Sequence, residues 1–273
     1  MKSTVINTKN ATFQKFEVLK FNRNKRFKYG EFFVEGVRNI NEAIEKKWEI
    51  VSFIYSKDKK LSKWANDLLS RIRTKENYAL SDSLMKEISS KEDTSEILAI
   101  VKMKQDELLM KFEGNPFIIL LDRPSNKGNL GTIIRSCDAL GVDEIIITGH
   151  AVDPYEPDVI SSTMGSFFSV PFARVSDNHT LFEYFNILKN QFPNLQLIGT
   201  TSHNQNVINE LDFTAPTVLM IGNETTGLNN TLKEICDKLA TIPMNSNSSA
   251  SSFNIACATT VFLYEVCRQR NFQ

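Results

Sequence analysis

Residues 117–148 read FIILLDRPSNKGNLGTIIRSCDALGVDEIIIT. Phe117 to Asp122 (FIILLD) is an apolar run closed by a carboxylate, and Glu144 to Thr148 (EIIIT) is a second. Runs this short, apolar on both faces and rich in β-branched residues, predict buried strands. Between them a polar loop, Arg123 to Gly128, leads into a helical pattern over Leu130 to Leu140. Strand, loop, helix, strand is a βαβ unit, and its two strands lie parallel.

The alternation continues toward the C-terminus. Leu181 to Gln191 reads as a helix, Leu195 to Gly199 as a strand and Val218 to Ile221 (VLMI) as another. Leu228 to Lys238 reads as a helix, Ala240 to Ile242 as a strand, and Ala250 to Cys267 as a long apolar helix. The fold class is therefore α/β, a parallel sheet with helices on each side. Such sheets bind ligands outside the carboxyl ends of their strands, where the polar, Gly-rich clusters of this half fall.

The first hundred residues form a smaller α/β unit. Phe32 to Val34 is a short apolar run, and Gly36 precedes a helical face of Val37, Ile40, Ala43 and Ile44. Ile50 to Tyr55 and Ile97 to Lys102 read as strands, Leu61 to Arg73 as a helix, and Ser81 as the cap of a helix from Asp82 to Ile88. This divides the chain into a domain over 1–104, a linker over 105–114 and a domain over 115–273. Leu108, Leu109 and Met110 suggest a short helix within the linker.

With 273 residues, 41% hydrophobic and 23% charged, the chain has the makeup of a globular protein of one large or two ordinary domains. No apolar run approaches the ~20 residues of a bilayer span, and the first twenty residues lack the apolar core of a signal peptide. Four cysteines (Cys137, Cys236, Cys257, Cys267) are widely spaced, with no Cys-x-x-Cys pair. A reducing cytoplasm fits them best. The zero net charge conceals an asymmetry. Residues 1–114 carry 23 Lys/Arg against 17 Asp/Glu, whereas residues 115–273 carry 9 against 15. The segment 1–30 holds eight basic side chains (Lys2, Lys9, Lys15, Lys20, Arg23, Lys25, Arg26, Lys28) and Glu17 alone. Phe21, Phe27 and Tyr29 interleave with them. Basic groups attract phosphate and aromatic faces stack on bases. The same segment also reads as a solvated basic surface with Phe27 in the core.

Three loops concentrate the chemistry. The first contains Asn129-x-Gly131-x-x-x-Arg135. It lacks the Gly-Lys-Ser/Thr of a phosphate-binding loop and the Gly-x-Gly-x-x-Gly of a dinucleotide fold. Asn129 stands where a side chain can cap a helix. The second, Gly222-Asn-Glu224-Thr-Thr-Gly227, follows the VLMI strand, and its glycines permit close backbone approach to a ligand. The third, Ile242-Pro-Met244 to Ser252-Phe253-Asn254, sets hydroxyls and amides beside an apolar edge, which suits a ligand with an adenine ring and a polar ribose.

In this order and spacing the loops resemble the SpoU/TrmH family of RNA ribose 2′-O-methyltransferases, of the SPOUT class. Asn129 to Arg135, with Asp138-Ala-Leu-Gly141 after it, matches the family's first motif. Gly222 to Gly227 matches the second. Ile242-Pro-Met244 with Ser252-Phe253-Asn254 matches the third, where Phe253 replaces the usual leucine. The resemblance covers roughly residues 115–270. Around Phe33-Val-Glu-Gly-Val-Arg38 the N-terminal part resembles the family's ribosomal-protein-like substrate-binding domain.

The resemblance implies a SPOUT-type catalytic domain with a C-terminal trefoil knot that binds S-adenosyl-L-methionine (AdoMet). Gly222, Ile242, Phe253 and Thr200 would contact the cofactor. It also implies a homodimer packed through the knotted regions; the long helix over Ala250 to Cys267 reads equally as an interface element or as simple core. The family proposal makes Arg135 the proton acceptor. A guanidinium does not readily give up a proton, and an electrostatic clamp on phosphate or alkoxide is the better chemistry. Asn129, Glu224, Ser252 and Asn254 would orient Arg135 and the ribose. No metal is expected, since His150, His179 and His203 are scattered. Ribosomal RNA is the expected substrate. Transfer RNA, a resistance-conferring rRNA methylation, and a non-catalytic RNA-binding or assembly factor are the alternatives.

Overall fold

A computed structural model describes residues 3–202 and 206–272. The chain divides into two compact units, Met1–Lys104 with Asp153–Ser169, and Gln105–Val152 with Val170–Gln273.

The first unit contains β1 (Ser3–Ile6), α1 (Ala11–Phe21), α2 (Arg23–Tyr29), β2 (Glu31–Glu35), α3 (Val37–Glu45), β3 (Ile50–Ser56), α4 (Lys63–Arg71), β4 (Asn77–Leu80), α5 (Asp82–Ile88) and β5 (Ile97–Lys102). Its strands form one sheet in the order β1-β4-β3-β5-β2. β1, β4 and β3 run parallel, while β5 is antiparallel to both β3 and β2. Phe13, Phe16 and Leu19 of α1 pack with Leu84, Met85 and Ile88 of α5 against Phe33, Ile54, Leu98 and Ile100 of the sheet.

The basic N-terminal segment is mostly regular structure. Asn10 caps α1 by accepting the Phe13 N–H at 3.0 Å, and Asn22 caps α2 by accepting that of Lys25 at 3.1 Å. Two of its cations are interior groups. The Lys20 Nζ donates to the carbonyls of Ile88 and Ser89 at the end of α5, at 2.8 and 3.1 Å. Arg26 is buried and pairs with Asp153 at 2.6 Å. Lys9 pairs with Glu17 and Glu87, and Lys15 with Glu31. Lys2 lies outside the described residues. Phe27 is not a core residue. It is 38% exposed, beside Phe21 at 71% and Tyr29 at 44%.

The second unit opens with 105–114, which has no helix over Leu108–Met110 but is held to the unit by side chains. Leu108 and Phe112 pack on the core, and Asp106 takes the Arg174 guanidinium at 2.5 Å. Then come β6 (Phe117–Asp122), α6 (Lys127–Ala139) and β7 (Glu144–Thr148). The next segment, with α7 (Pro157–Thr163), groups with the first unit. The reason is specific packing. Tyr155, Phe167 and Phe168 surround Phe32 at ring distances of 4.9–6.4 Å, the Trp48 indole N–H donates to the Phe168 carbonyl, and Asp153 neutralises Arg26. A buried arginine without its carboxylate would be strongly destabilising.

The chain continues through β8 (Phe172–Val175), α8 (Asn178–Gln191), β9 (Gln196–Thr200), β10 (Asn206–Val207), β11 (Thr217–Ile221), α9 (Asn230–Ile235), β12 (Lys238–Thr241) and α10 (Ile255–Gln269). Among the described residues, seven strands form a sheet in the order β10-β12-β9-β11-β6-β7-β8, every pairing parallel. β6, β7 and β11 are buried along their whole length, as the unbroken apolar runs require. Met220 pairs with Gly199, Ala240 with Thr200, and Ile221 with Leu121. The carboxyl ends of β12, β9, β11 and β6 therefore lie side by side on one edge.

The helices α4, α6, α8, α9 and α10 begin elsewhere than expected, each behind a side chain that caps it, and two of these starts bear on the site. α6 starts at Lys127, since Asn126 accepts the Asn129 N–H at 2.9 Å. Asn129 is inside the helix and does not cap it. α10 starts at Ile255 rather than Ala250, since the Asn254 side chain accepts the N–H groups of Ala256 and Cys257.

Candidate active site

The loops after β9, β11 and β12 enclose a cleft of about 360 Å³ at the carboxyl edge of the second unit's sheet. Thr200, Gly222, Glu224, Ile242, Ser252 and Phe253 all line it. Four of the six are the residues expected to touch the cofactor. Gly222 has no space for a side chain: a Cβ there would lie 2.1 Å from the Leu228 amide nitrogen. The turn beyond it is closed by two hydrogen bonds, Asn223 N–H to Gly227 C=O at 3.1 Å and Gly227 N–H to Asn223 C=O at 2.9 Å. The Asn223 Oδ1 accepts the N–H groups of Thr225 and Thr226 within the same turn. The Thr200 hydroxyl lies at the cleft but donates to the Met220 carbonyl at 3.1 Å.

Glu224 is the knot of the polar network. Its carboxylate accepts the Ser125 N–H at 3.1 Å, the Ser125 hydroxyl at 2.7 Å and the Asn126 N–H at 3.2 Å. The Asn129 side-chain amide donates to it at 3.4 Å, and the Asn254 amide donates to the Asn129 Oδ1 at 3.2 Å. Desolvation acts to raise the Glu224 carboxyl, but the donors from Ser125 and Asn129 outweigh it and leave the group below its ordinary range. Glu224 is thus an ionised acceptor that joins the β6 loop to the β11 loop, and Asn129 carries the link to the start of α10. Ser125 and Asn126 were absent from the sequence-derived site. Their signal is the loop they share with Asn129, but only folding brings their N–H groups to a carboxylate a hundred residues away.

Arg135 stands apart from the cleft. It is six residues beyond Asn129 in α6, about 9 Å along the helix axis. It is exposed and has no hydrogen-bond or ion-pair partner among the described residues. Of the histidines, His150 is exposed, His179 is exposed beside Glu183 at 3.3 Å, and His203 lies outside the described residues.

The cleft has the makings of an AdoMet site. A glycine cradle with no room for a Cβ, hydroxyls from Thr200 and Ser252, and apolar faces from Ile242, Phe253 and Phe262 suit a flat purine, a ribose and an amino-acid tail.

Comparison with known proteins supports the same grouping. Residues 116–264 match the SpoU rRNA Methylase family, and residues 10–99 match the SpoU L30e-like domain. The chain is 42% identical to the 23S rRNA (uridine(2479)-2′-O)-methyltransferase of Streptomyces viridochromogenes, over 97% of this chain and 92% of that one. It is 28% identical to the 23S rRNA (guanosine(2553)-2′-O)-methyltransferase RlmP of Bacillus subtilis, over 89% and 91%. The crystal structure of the SpoU methyltransferase AviRb from Streptomyces viridochromogenes in complex with AdoMet superposes with a TM-score of 0.90 at 42% identity, covering 96% of this chain and 99% of that one. An rRNA methyltransferase from Sinorhizobium meliloti shares the fold, with a TM-score of 0.82 at 24% identity, covering 98% of each chain. The loops that build the cleft fall inside the matched residues 116–264: the chain belongs to the SpoU rRNA methylase family.

Proposed function

We propose that this protein is an AdoMet-dependent RNA ribose 2′-O-methyltransferase acting on ribosomal RNA. The observation that carries this reading is the convergence of the loops after β9, β11 and β12 on one cleft, with Glu224 on its wall tying the β11 loop to the β6 loop. Similarity along almost the whole chain to a 23S rRNA 2′-O-methyltransferase supports the substrate class.

In this reading Gly222, Ile242, Phe253 and Thr200 hold the cofactor. When bound, it supplies a methyl group activated by sulfonium charge. The protein's own task is to align a ribose 2′-hydroxyl and manage its proton. Glu224 is occupied by its donors, so it serves as a scaffold and not as a proton acceptor. Arg135 clamps the substrate phosphate or the developing alkoxide, and the proton passes to phosphate or water. Asn129, Ser252 and Asn254 orient the ribose.

Arg135 reaches a site only if a second copy completes it, so the homodimer belongs to this proposal. α10 and the chain end after it expose Val261, Tyr264 and Phe272, an apolar strip suited to such packing. The trefoil knot in the segment that forms the cleft, and a cytoplasmic location, complete the reading. Four free thiols fit a reducing compartment.

Mapping ribose methylations in 23S rRNA and tRNA from cells with and without the protein tests the substrate. One site lost from 23S rRNA is expected, and a tRNA site would redirect the assignment. Arg135→Ala should abolish methyl transfer, by a hundredfold or more, while AdoMet binding by calorimetry persists. Equal loss of both would refute the role of Arg135. Failure of the wild type to bind AdoMet would favour a non-catalytic RNA-binding factor.

A further inference from the structure

Arg123, the first residue after β6, holds a backbone conformation that side chains seldom adopt, with φ at +54°. It is kept there by hydrogen bonds from three directions. Its N–H donates to the Thr148 carbonyl at 3.1 Å. Its carbonyl accepts the Asn223 side-chain amide at 2.7 Å. Its guanidinium forks onto the buried Asp122, Nε to Oδ1 at 2.9 Å and Nη2 to Oδ2 at 2.8 Å. The same Nη2 donates to the Gly227 carbonyl at 3.1 Å. Space for the arm is made at Gly149, where a Cβ would meet the Arg123 Cγ at 2.6 Å. Asp122 in turn accepts the backbone N–H and the side-chain amide of Asn229, at 2.8 and 3.1 Å.

These bonds seize the β11 turn at both ends, at Asn223 and Gly227, and anchor the chain just beyond it at Asn229. The turn between carries Glu224 to the cleft wall, and Gly222 lines the cleft immediately before it. Arg123 itself does not line the cleft. A bidentate guanidinium can hold a carboxylate and still offer an N–H to a carbonyl, which an ammonium cannot do in the same geometry.

We propose that Arg123, braced on Asp122, is a positioning residue that sets the Gly222–Gly227 turn from outside the cleft and thereby fixes affinity for the cofactor. This rests on the reading that the cleft takes AdoMet.

Two variants test it without leaving a buried charge unpaired. Arg123→Lys keeps a cation beside Asp122. The double variant Asp122→Asn/Arg123→Gly removes both charges and the left-handed strain. Each is compared with wild type in unfolding midpoint, AdoMet affinity by calorimetry, and amide hydrogen exchange over 223–228 in the free protein. The expected result is a midpoint close to wild type for at least one variant, about tenfold weaker AdoMet binding, and faster exchange in the turn. Wild-type affinity in a folded variant would overturn the proposal, whatever the exchange shows. Weaker binding with unchanged exchange would overturn it too, because the turn would not have moved. If wild-type protein binds no AdoMet, the reading of the cleft fails, and unchanged exchange in the folded variants would overturn the positioning role on its own.

Discussion

At Gly222 a Cβ would lie 2.1 Å from the Leu228 nitrogen and 2.3 Å from the Gly227 carbonyl carbon, both backbone atoms that no rotamer change can move. Gly222→Ala should therefore open the turn and abolish detectable AdoMet binding. Calorimetry checks this, and unchanged affinity would show that the turn tolerates displacement. Other residues meet different fates with the same chemistry. Lys20 and Arg26 look like their basic neighbours in the sequence, yet both are interior groups, one capping α5 and the other paired with Asp153. Charge alone does not tell a surface lysine from a buried one, because the partner that makes burial tolerable lies 68 residues away for Lys20 and 127 for Arg26. The motif singles out Asn129, but its hydrogen-bond partners are not legible there. It bridges Glu224 and Asn254, and the cap expected of it belongs to Asn126.

Among the elements, the fully buried strands β6, β7 and β11 were the most legible, since a strand buried on both faces has to be apolar throughout, while the partly exposed β8 and β10 carried no such run. α1 and α2 were not expected, because their polar and basic composition hides the few positions that pack. The segment before β6 shows how an irregular stretch is fixed. Glu144 on β7 accepts the Leu109 N–H at 2.8 Å, and its other oxygen lies 2.7 Å from the Tyr184 hydroxyl of α8. That hydroxyl is also 2.7 Å from the Leu109 carbonyl. One phenol proton cannot serve two acceptors, so the arrangement is fully bonded only when Glu144 is protonated and donates to Tyr184. Burial pushes the Glu144 carboxyl up to about 7 against the hydrogen bonds from Tyr184 and Leu109, and the nearby Asp143 adds to the rise. The unfolded chain releases this proton near 4.5, the folded one near 7. Between those values the native state binds the extra proton, so stability falls as pH rises and levels off above the upper value, by roughly 3 kcal/mol in total. Glu144→Gln supplies the donor permanently. Urea unfolding of wild type and variant from pH 4 to 8.5 should show the variant gaining relative stability across that window. A constant difference would mean that Glu144 does not change protonation there.

For the molecule as a whole, the excess of basic charge in residues 1–114 survives folding only in part. Lys20 and Arg26 are committed internally and Lys9 and Lys15 are paired with carboxylates, while Lys28 is exposed and Lys25 partly so, in the same segment as the exposed aromatic side chains of Phe21, Phe27 and Tyr29. Deleting residues 1–30 would remove β1 and the core side chains of α1, so point changes are the sound test. If this surface binds RNA, Lys25→Ala/Lys28→Ala should lower the salt slope of binding to a 23S rRNA fragment by about 0.7–0.9 for each phosphate no longer neutralised. Phe21→Ala should weaken binding at every salt concentration without changing the slope. Fluorescence anisotropy across a salt series measures both, and identical slopes and affinities would place the RNA elsewhere. The sequence by itself determined the class of fold, the parallel sheet of its second half, and two of the loops that line the cleft, Gly222–Gly227 and Ile242–Phe253. These follow from local patterns, in which apolar periodicity selects strands and helices and short motifs mark where the backbone must stay bare. Only the tertiary structure decided that 153–169 groups with the N-terminal unit, that Glu224 is an occupied scaffold, and that Arg123 reaches across to Gly227. Those outcomes depend on groups distant in sequence meeting at hydrogen-bonding distance, and no local pattern encodes such a meeting.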